Sequence, residues 1–433
     1  MFNYDEVPKI MFNHRTVPMY FPDDIWITDT TFRDGQQSRA PFTVEQIVDL
    51  YKLMHKLGGP KGIVRQTEFF VYTQKDRDAL AKCQDLGFEF PQITTWIRAN
   101  KKDFELVKSL GIEETGILVS CSDYHIFTKM GLTRKQAMDK YLGIVKDALS
   151  LGIKPRCHFE DITRADFYGF VVPFANELGK LRKESGIPIK IRMCDTLGYG
   201  VSYPGASLPR SVQGIVYGLR FYSGFPSTLL EWHGHNDFYK VVTNAATAWL
   251  YGASSVNCSI LGIGERTGNC PLEAMVMEYC SLKGTTDGMD LHAITEIAEY
   301  FERKIGYEIM DRTPFVGRNF NSTRAGIHAD GLIKNEEIYN IFNTEKILGR
   351  PATVMIGEVS GAAGIAHWMN AHFKLVGDEK IEKQDELVLR VKAEVDREYA
   401  EGRTTSFGDE ELEQIIRELD PERFFKLTHI MPM

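Results

Sequence analysis

Several signals that would settle the class of this 433-residue chain outright are missing. No apolar run reaches about 18 residues, the helical length that spans a bilayer, so a membrane protein is not expected. The opening stretch, MFNYDEVPKIMFNHRTVPMYFPDD, mixes acids, bases and prolines and holds no secretory apolar core. The seven cysteines are odd in number and scattered without a close CxxC pair. They fit a reducing compartment better than a disulfide framework, and the cytoplasm is expected. A formal charge of −8 offers no general field for nucleic acid. No G-x-G-x-x-G opens a helix after the first strand-like run, and GIGERTGN lacks the lysine and Ser/Thr of a P-loop.

What is present is alternation. The chain is 43% hydrophobic and 25% charged, enough apolar residues for a sizeable core. Apolar extended runs at 25–29, 62–70, 92–97, 115–120, 155–159, 189–193, the run ending in His233-Gly-His235, and 255–261 read as strands. Between them, apolar residues at helical spacing mark helices at 43–57, 75–86, 102–110, 134–151, 167–185, 209–222 and 240–251, with another from 271. Thr43 with Gln46 at the third helical position reads as a reciprocal N-cap. Eight strand–helix units at about 30 residues each match a closed (β/α)8 TIM barrel, an α/β fold, over residues 23–290. An open doubly wound sheet is the alternative.

Polar residues collect where these strands end: Asp29, Arg33 and Asp34; Arg65, Thr67 and Glu68; His158, Glu160 and Asp161; Asp195 and Thr196; His233, His235, Asn236 and Asp237; Glu265, Arg266 and Asn269. In a barrel these ends meet at one mouth, where active sites are built. Residues i and i+2 of a strand share a face, so His233 and His235 can point the same way. With Asp34 they form the best trio for a divalent ion, and Asn269 is a plausible fourth ligand through its amide oxygen. Glu265 could ligate instead, or simply pair with Arg266. Cys194 and Cys270 lie near these motifs, but the oxygen-and-nitrogen set already supplies enough ligands. Such an ion with open positions, beside an arginine able to grip a carboxylate, suits a 2-oxo acid. Arg33 is that arginine, and it can also hold the negative charge that develops on the attacked keto oxygen.

Five motifs then occur in order: DTTFRDGQQS (29–38), FEDITRAD (159–166), CDTLGYG (194–200), EWHGHNDF (231–238) and GIGERTGN (262–269). Together they resemble the DRE-TIM metallolyase superfamily across nearly all of 23–375. The resemblance implies that Asp34, His233 and His235 bind the metal, with Asn269 near or on it, and that Arg33 binds or polarises substrate. Gln37 and Thr196, inside two of these motifs, are expected to touch substrate. NFNSTRAGIHADGLIKN (319–335) resembles the subdomain that follows the barrel in the Claisen-condensing branch. There the histidine before the acidic–glycine pair, here His328, reaches over an active site, usually the partner subunit's. The implied partner is therefore a second copy, in a homodimer that exchanges lids. Glu160 matches a catalytic glutamate position and could orient His328 as the base; pairing with Arg164 is its structural alternative. Capping or packing within the lid is that of His328. The family's base system can include a tyrosine, which the sequence does not place.

The implied reaction is a metal-dependent condensation of acetyl-CoA with a 2-oxo acid, followed by thioester hydrolysis. Mn²⁺ or Mg²⁺ is favoured, with Co²⁺ or Zn²⁺ compatible. Arg65 stands within an otherwise apolar strand and needs an anion. Either Glu68 or the distal carboxylate of a dicarboxylic oxo acid can be that partner. The second choice points to oxaloacetate and citrate; the wording of this strand departs from that of homocitrate synthases, and the chain as a whole resembles the Re-face-specific branch. Homocitrate formation from 2-oxoglutarate, an isopropylmalate synthase-like reaction, an acyl-CoA lyase and a noncatalytic metal-binding barrel are the alternatives.

Outside the barrel, residues 1–22 read as an extension, 291–375 as a small α/β lid subdomain, and 376–433 as a mostly helical tail. The residues after 375 are fewer than a leucine-feedback domain needs, so feedback through one is not expected.

Overall fold

Thr43 caps the first helix as its sequence requires: its hydroxyl accepts the Gln46 N–H, and the Gln46 side chain returns to the Thr43 N–H. The computed structural model in which this is seen describes residues 3–98, 100–324, 328, 331–332, 334–375 and 377–429. The chain divides into two units, Met1–Ala293 and Ile294–Met433.

The first unit is a closed barrel of eight parallel strands. These are β1 (Trp26–Asp29), β2 (Val64–Phe69), β3 (Gln92–Ile97), β4 (Glu114–Ser120), β5 (Lys154–Glu160), β6 (Lys190–Asp195), β7 (Leu230–Gly234) and β8 (Ser255–Cys258). The ring closes where β1 pairs with β8. Helices α1 (Val44–Gly58), α2 (Gln74–Asp85), α3 (Lys101–Ser109), α4 (Arg134–Ser150), α5 (Val172–Ser185), α6 (Val212–Ser223), α7 (Val241–Tyr251) and α8 (Leu272–Lys283) follow the strands in turn.

The strand and helix bounds depart locally from those expected. The segment after β4, expected to be loop, is a π-helical turn at Tyr124–Lys129, and a second such turn, Phe167–Val171, precedes α5. β8 stops at Cys258 rather than 261 because a tight turn follows, in which Leu261 takes a positive φ of 55°. That turn is closed by the Asn269 N–H donating to the Gly262 carbonyl at 2.8 Å. Gly268, at φ 87°, passes so near the same carbonyl that a Cβ would not fit.

The barrel interior is charged where such interiors are usually filled with branched apolar side chains. Arg156 of β5 reaches Glu114 of β4 at 3.0 Å, Glu68 of β2 at 3.4 Å and Glu231 of β7 at 3.8 Å. Arg192 of β6 reaches Glu231 at 2.6 Å and Glu68 at 2.9 Å. Side chains on non-adjacent strands can meet like this only across the interior. All five are fully or almost fully buried, and mutual pairing offsets the cost of removing them from water.

In the second unit, Ser322–Thr323 pairs in parallel with Thr353–Val354. Helices Ala362–His372, Glu386–Ala400, Asp409–Leu419 and Pro421–His429 follow. Ile365, Met369 and Phe373 pack with Val388, Val391, Leu412, Ile416 and Phe424 in one core. The segments on either side of residue 376 therefore share a hydrophobic centre. Among the described residues, no helix is long and apolar enough to cross a membrane.

Candidate active site

The first and seventh strands bring the RDG and HxH motifs to one end of the barrel. Asp34 lies in the turn after β1; His233 lies in β7 and His235 just beyond it, bridged to Asn269 after β8. One ligand atom from each of Asp34, His233 and His235 falls within 4.8 Å of the others, and all three residues are buried. His233 Nε2 and His235 Nε2 are 3.3 Å apart, and Asp34 Oδ2 is 3.9 and 4.0 Å from them. Asn269 Nδ2 donates to Asp34 Oδ2 at 2.8 Å, while its buried Oδ1 has no hydrogen-bond partner.

The protonation states suit a cation. Burial and the neighbouring His235 push His233 down to about 3, against the pull of Asp34. Burial lowers His235 as well. Burial alone would raise Asp34, but Arg33 and the two histidines more than reverse it, leaving a carboxylate held well below the usual range. Two neutral imidazoles, one carboxylate and an unpartnered amide oxygen form the mixed N/O donor set that a divalent ion takes. The residues present therefore fit the metal that the motifs imply. Cys194 and Cys270 are buried outside this cluster. Glu265 is exposed, 4.0 Å from Arg266, whose closer partner is Asp237 at 2.9 Å.

Both sides of the cluster are tied into the interior. The His233 Nδ1 atom lies 2.8 Å from Asn257 Oδ1, and Asn257 Nδ2 donates to Thr28 Oγ1 at 2.9 Å. Thr28 donates to Glu231, Glu231 binds Arg192, and Arg192 binds Glu68. Glu68 lies 3.4 Å from Arg33 Nε, and Arg33 Nη1 donates to Asp34 Oδ1 at 2.9 Å. A chain of contacts thus leaves one expected ligand, passes through the barrel and returns to another.

The other expected site residues divide. Glu160 ends β5 with its carboxylate bound by Ser120 and faced by His125. Its alternative partner, Arg164, pairs instead with Asp161 at 2.9 Å. Thr196 Oγ1 accepts the Asp161 N–H at 2.9 Å, and Gln37 is exposed in the turn after Asp34. His328 belongs to the second unit, where it is exposed and its ring centroid is 4.7 Å from that of Tyr339.

Arg65 is a correction. It is the second residue of β2, far from the strand's C-terminal end, and its guanidinium binds Asp24 at 2.7 and 3.2 Å and stacks on Trp26. Neither Glu68 nor a substrate at the mouth is its partner. Glu68 and Gln66 occupy the interior face, so strand alternation turns Arg65 outward. The same alternation could have been applied to the sequence. It would have favoured Arg156 and Arg192 as interior cations, and both were missed. His125 was missed because its π turn gives no simple periodicity.

A family model described as HMGL-like matches residues 24–301. The chain is 60% identical to the citrate (Re)-synthase of Clostridium kluyveri, over 98% of this chain and 93% of that one. It is 58% identical to the citrate (Re)-synthase of Syntrophus aciditrophicus, over 98% of this chain and 67% of that one. Among solved structures, hydroxymethylglutaryl-CoA lyase from Pseudomonas aeruginosa aligns with a TM-score of 0.52 at 17% identity, covering 66% of this chain and 95% of the lyase. That likeness speaks to the barrel alone. With a family match that takes in every strand of the barrel and relatives this similar over almost the whole length, the chain belongs to the HMGL-like family.

Proposed function

We propose that this protein is a divalent-metal-dependent condensing enzyme that joins acetyl-CoA to oxaloacetate and hydrolyses the product thioester to citrate and CoA. The observation that carries the reading is the buried cluster of Asp34, His233 and His235, with both imidazoles held neutral and Arg33 against the carboxylate. The near full-length similarity to two citrate (Re)-synthases supports oxaloacetate as the oxo acid. Arg65, bound to Asp24, has no bearing on that choice.

Asp34, His233 and His235, with Asn269, would hold the ion; Mn²⁺ or Mg²⁺ is favoured, and Co²⁺ or Zn²⁺ suits the same donors. Bound there, the ion supplies Lewis-acid polarisation of the keto group. Arg33 binds the oxo acid and stabilises negative charge on its former keto oxygen. Thr196 and Gln37 contact the substrate. His328, with Glu160, removes a proton from the acetyl methyl group. The C–H electron pair becomes the enolate, whose carbon forms the new bond to C2 of oxaloacetate. Water then displaces CoA from the thioester. The working form is a cytoplasmic homodimer in which His328 crosses to the partner's barrel.

Thiol release from acetyl-CoA with oxaloacetate, 2-oxoglutarate, 2-oxoisovalerate or pyruvate tests this, with Mn²⁺ or Mg²⁺ and with or without chelator. Chelator-sensitive release greatest with oxaloacetate is expected. A peak with 2-oxoglutarate moves the assignment to homocitrate formation. No release with any oxo acid, despite bound metal, sinks condensation.

A further inference from the structure

The π turn after β4 delivers a histidine to the one carboxylate at the mouth that the proposed chemistry uses as part of its base. His125 Nδ1 lies 3.1 Å from Glu160 Oε2, and its Nε2 lies 3.7 Å from Asp161 Oδ2. Ser120 donates to the same Oε2. The other oxygen, Oε1, meets only a long contact among the ion pairs here, 3.6 Å to the exposed Lys129. Oε2 is therefore bound by Ser120 and approached by the unpartnered His125 Nδ1, while Oε1 has only the distant lysine among the described ion pairs.

The surroundings fix the imidazole in this place. Arg134 at the start of α4 binds Asp123, just before the turn, through Nε at 2.9 Å and Nη2 at 2.7 Å. Its Nη1 binds Asp166 beyond β5 at 2.8 Å. Tyr124 packs under the Arg164 guanidinium, which itself pairs with Asp161. Asp161 also accepts from Ser122 Oγ at 2.5 Å. The wider hydrogen-bond spacing of a π turn re-aims side chains, and such turns occur often at functional sites. Burial would raise Glu160, but His125, Ser120 and Lys129 outweigh it and keep the carboxylate ionised.

We propose that His125 is the positioning residue of the base system: its Nδ1, unpartnered 3.1 Å from Glu160 Oε2, aligns to donate to that oxygen when reactants bind, as catalytic hydrogen bonds do, and leaves Oε1 for the reacting partners. This rests on the condensation reading above. His125 neither takes the methyl proton nor touches the metal ligands. Its role is to keep one carboxylate in one orientation and in its charged form.

The test compares His125→Ala, His125→Asn and His125→Gln in the full-length protein. The asparagine amide reproduces the Nδ1 donor position, whereas the glutamine amide reaches toward Asp161. Thiol release is measured with saturating metal and oxaloacetate, using ordinary and methyl-deuterated acetyl-CoA. His125→Ala and His125→Gln are expected to lose about 10–100-fold in kcat, the range for removing an orienting partner. KM for oxaloacetate should stay within about twofold, because oxo-acid binding is left intact. The deuterium isotope effect should rise, and His125→Asn should restore most of the rate. Equal kcat in the Ala and Asn variants, or an isotope effect that does not respond, overturns the role, whatever the melting temperatures show. The underlying reading fails separately: the unaltered protein would then release no thiol with any oxo acid.

Discussion

The Nδ1 atom of His233 sits 2.8 Å from the side-chain oxygen of Asn257, an acceptor buried on the neighbouring strand. Because the acceptor is an amide oxygen, the ring proton belongs on Nδ1 and the lone pair on Nε2 faces Asp34 and His235. Asn257→Leu should therefore weaken divalent-metal binding about 10–100-fold, whereas Asn257→Asp keeps an acceptor and loses much less. Chelator competition on the two variants checks this; equal affinities would show that the tautomer is held by something else.

Protonation of the same pair makes a pH prediction. The unfolded chain protonates His233 near the ordinary value of about 6.5, while burial holds the folded residue down to about 3. Between these values the unfolded state carries a proton that the folded state refuses. This group's contribution to stability is therefore present above pH 6.5 and lost as pH falls toward 3. Asp29 and Asp195, raised by burial to about 6, have the opposite sign, since their folded forms protonate first. Nitrogen-detected NMR of the metal-free protein should find His233 neutral at pH 5, with Nδ1 protonated. A titration midpoint near 6.5 would contradict the burial argument.

Glu68 touches three arginines, Arg33, Arg156 and Arg192. Glu68→Gln keeps the shape but removes the charge that offsets them. It should cost about 3–5 kcal/mol of stability, as expected when one partner of a buried ionic group is lost. Urea denaturation measures the loss, and a change below about 1 kcal/mol would mean that Glu231 and Glu114 compensate.

Arg65 predicts the contrary. Its partner Asp24 is largely exposed, and the pair lies at the opposite end of β2 from the metal cluster. Arg65→Ala should cost about 1 kcal/mol or less in stability and leave the KM for the oxo acid unchanged. Arg33→Ala should impair turnover severely. A large rise in oxo-acid KM in the Arg65 variant would restore it to the substrate site.

Lid exchange is tested by complementation. Asp34→Asn and His328→Ala homodimers should each be nearly inactive. Mixed and re-equilibrated, they should regain up to about a quarter of normal activity, because half the dimers are hybrids with one intact site each. Failure to regain activity, with subunit exchange verified by tagged pull-down, would place His328 over its own barrel.

Much of this was open to reading one residue at a time. Alternation of apolar strands and amphipathic helices is a local property, so all eight barrel units, the Thr43–Gln46 cap and the strand-end position of the HxH pair follow from spacing alone. The expected ligands Asp34, His233, His235 and Asn269 share one barrel end because parallel strands force their C-terminal ends together. What tertiary structure alone decided is which charges meet. Arg65 and Arg192 both stand in strands and both require an anion. Strand parity and barrel closure turn the first outward to Asp24 and the second inward to Glu68 and Glu231. His125 reaches Glu160 across 35 positions through a π turn, and His233 reaches Asn257 across a strand pair. Local periodicity sets the face a side chain takes, but a buried charge is satisfied by whatever closure of the chain places within about 4 Å of it.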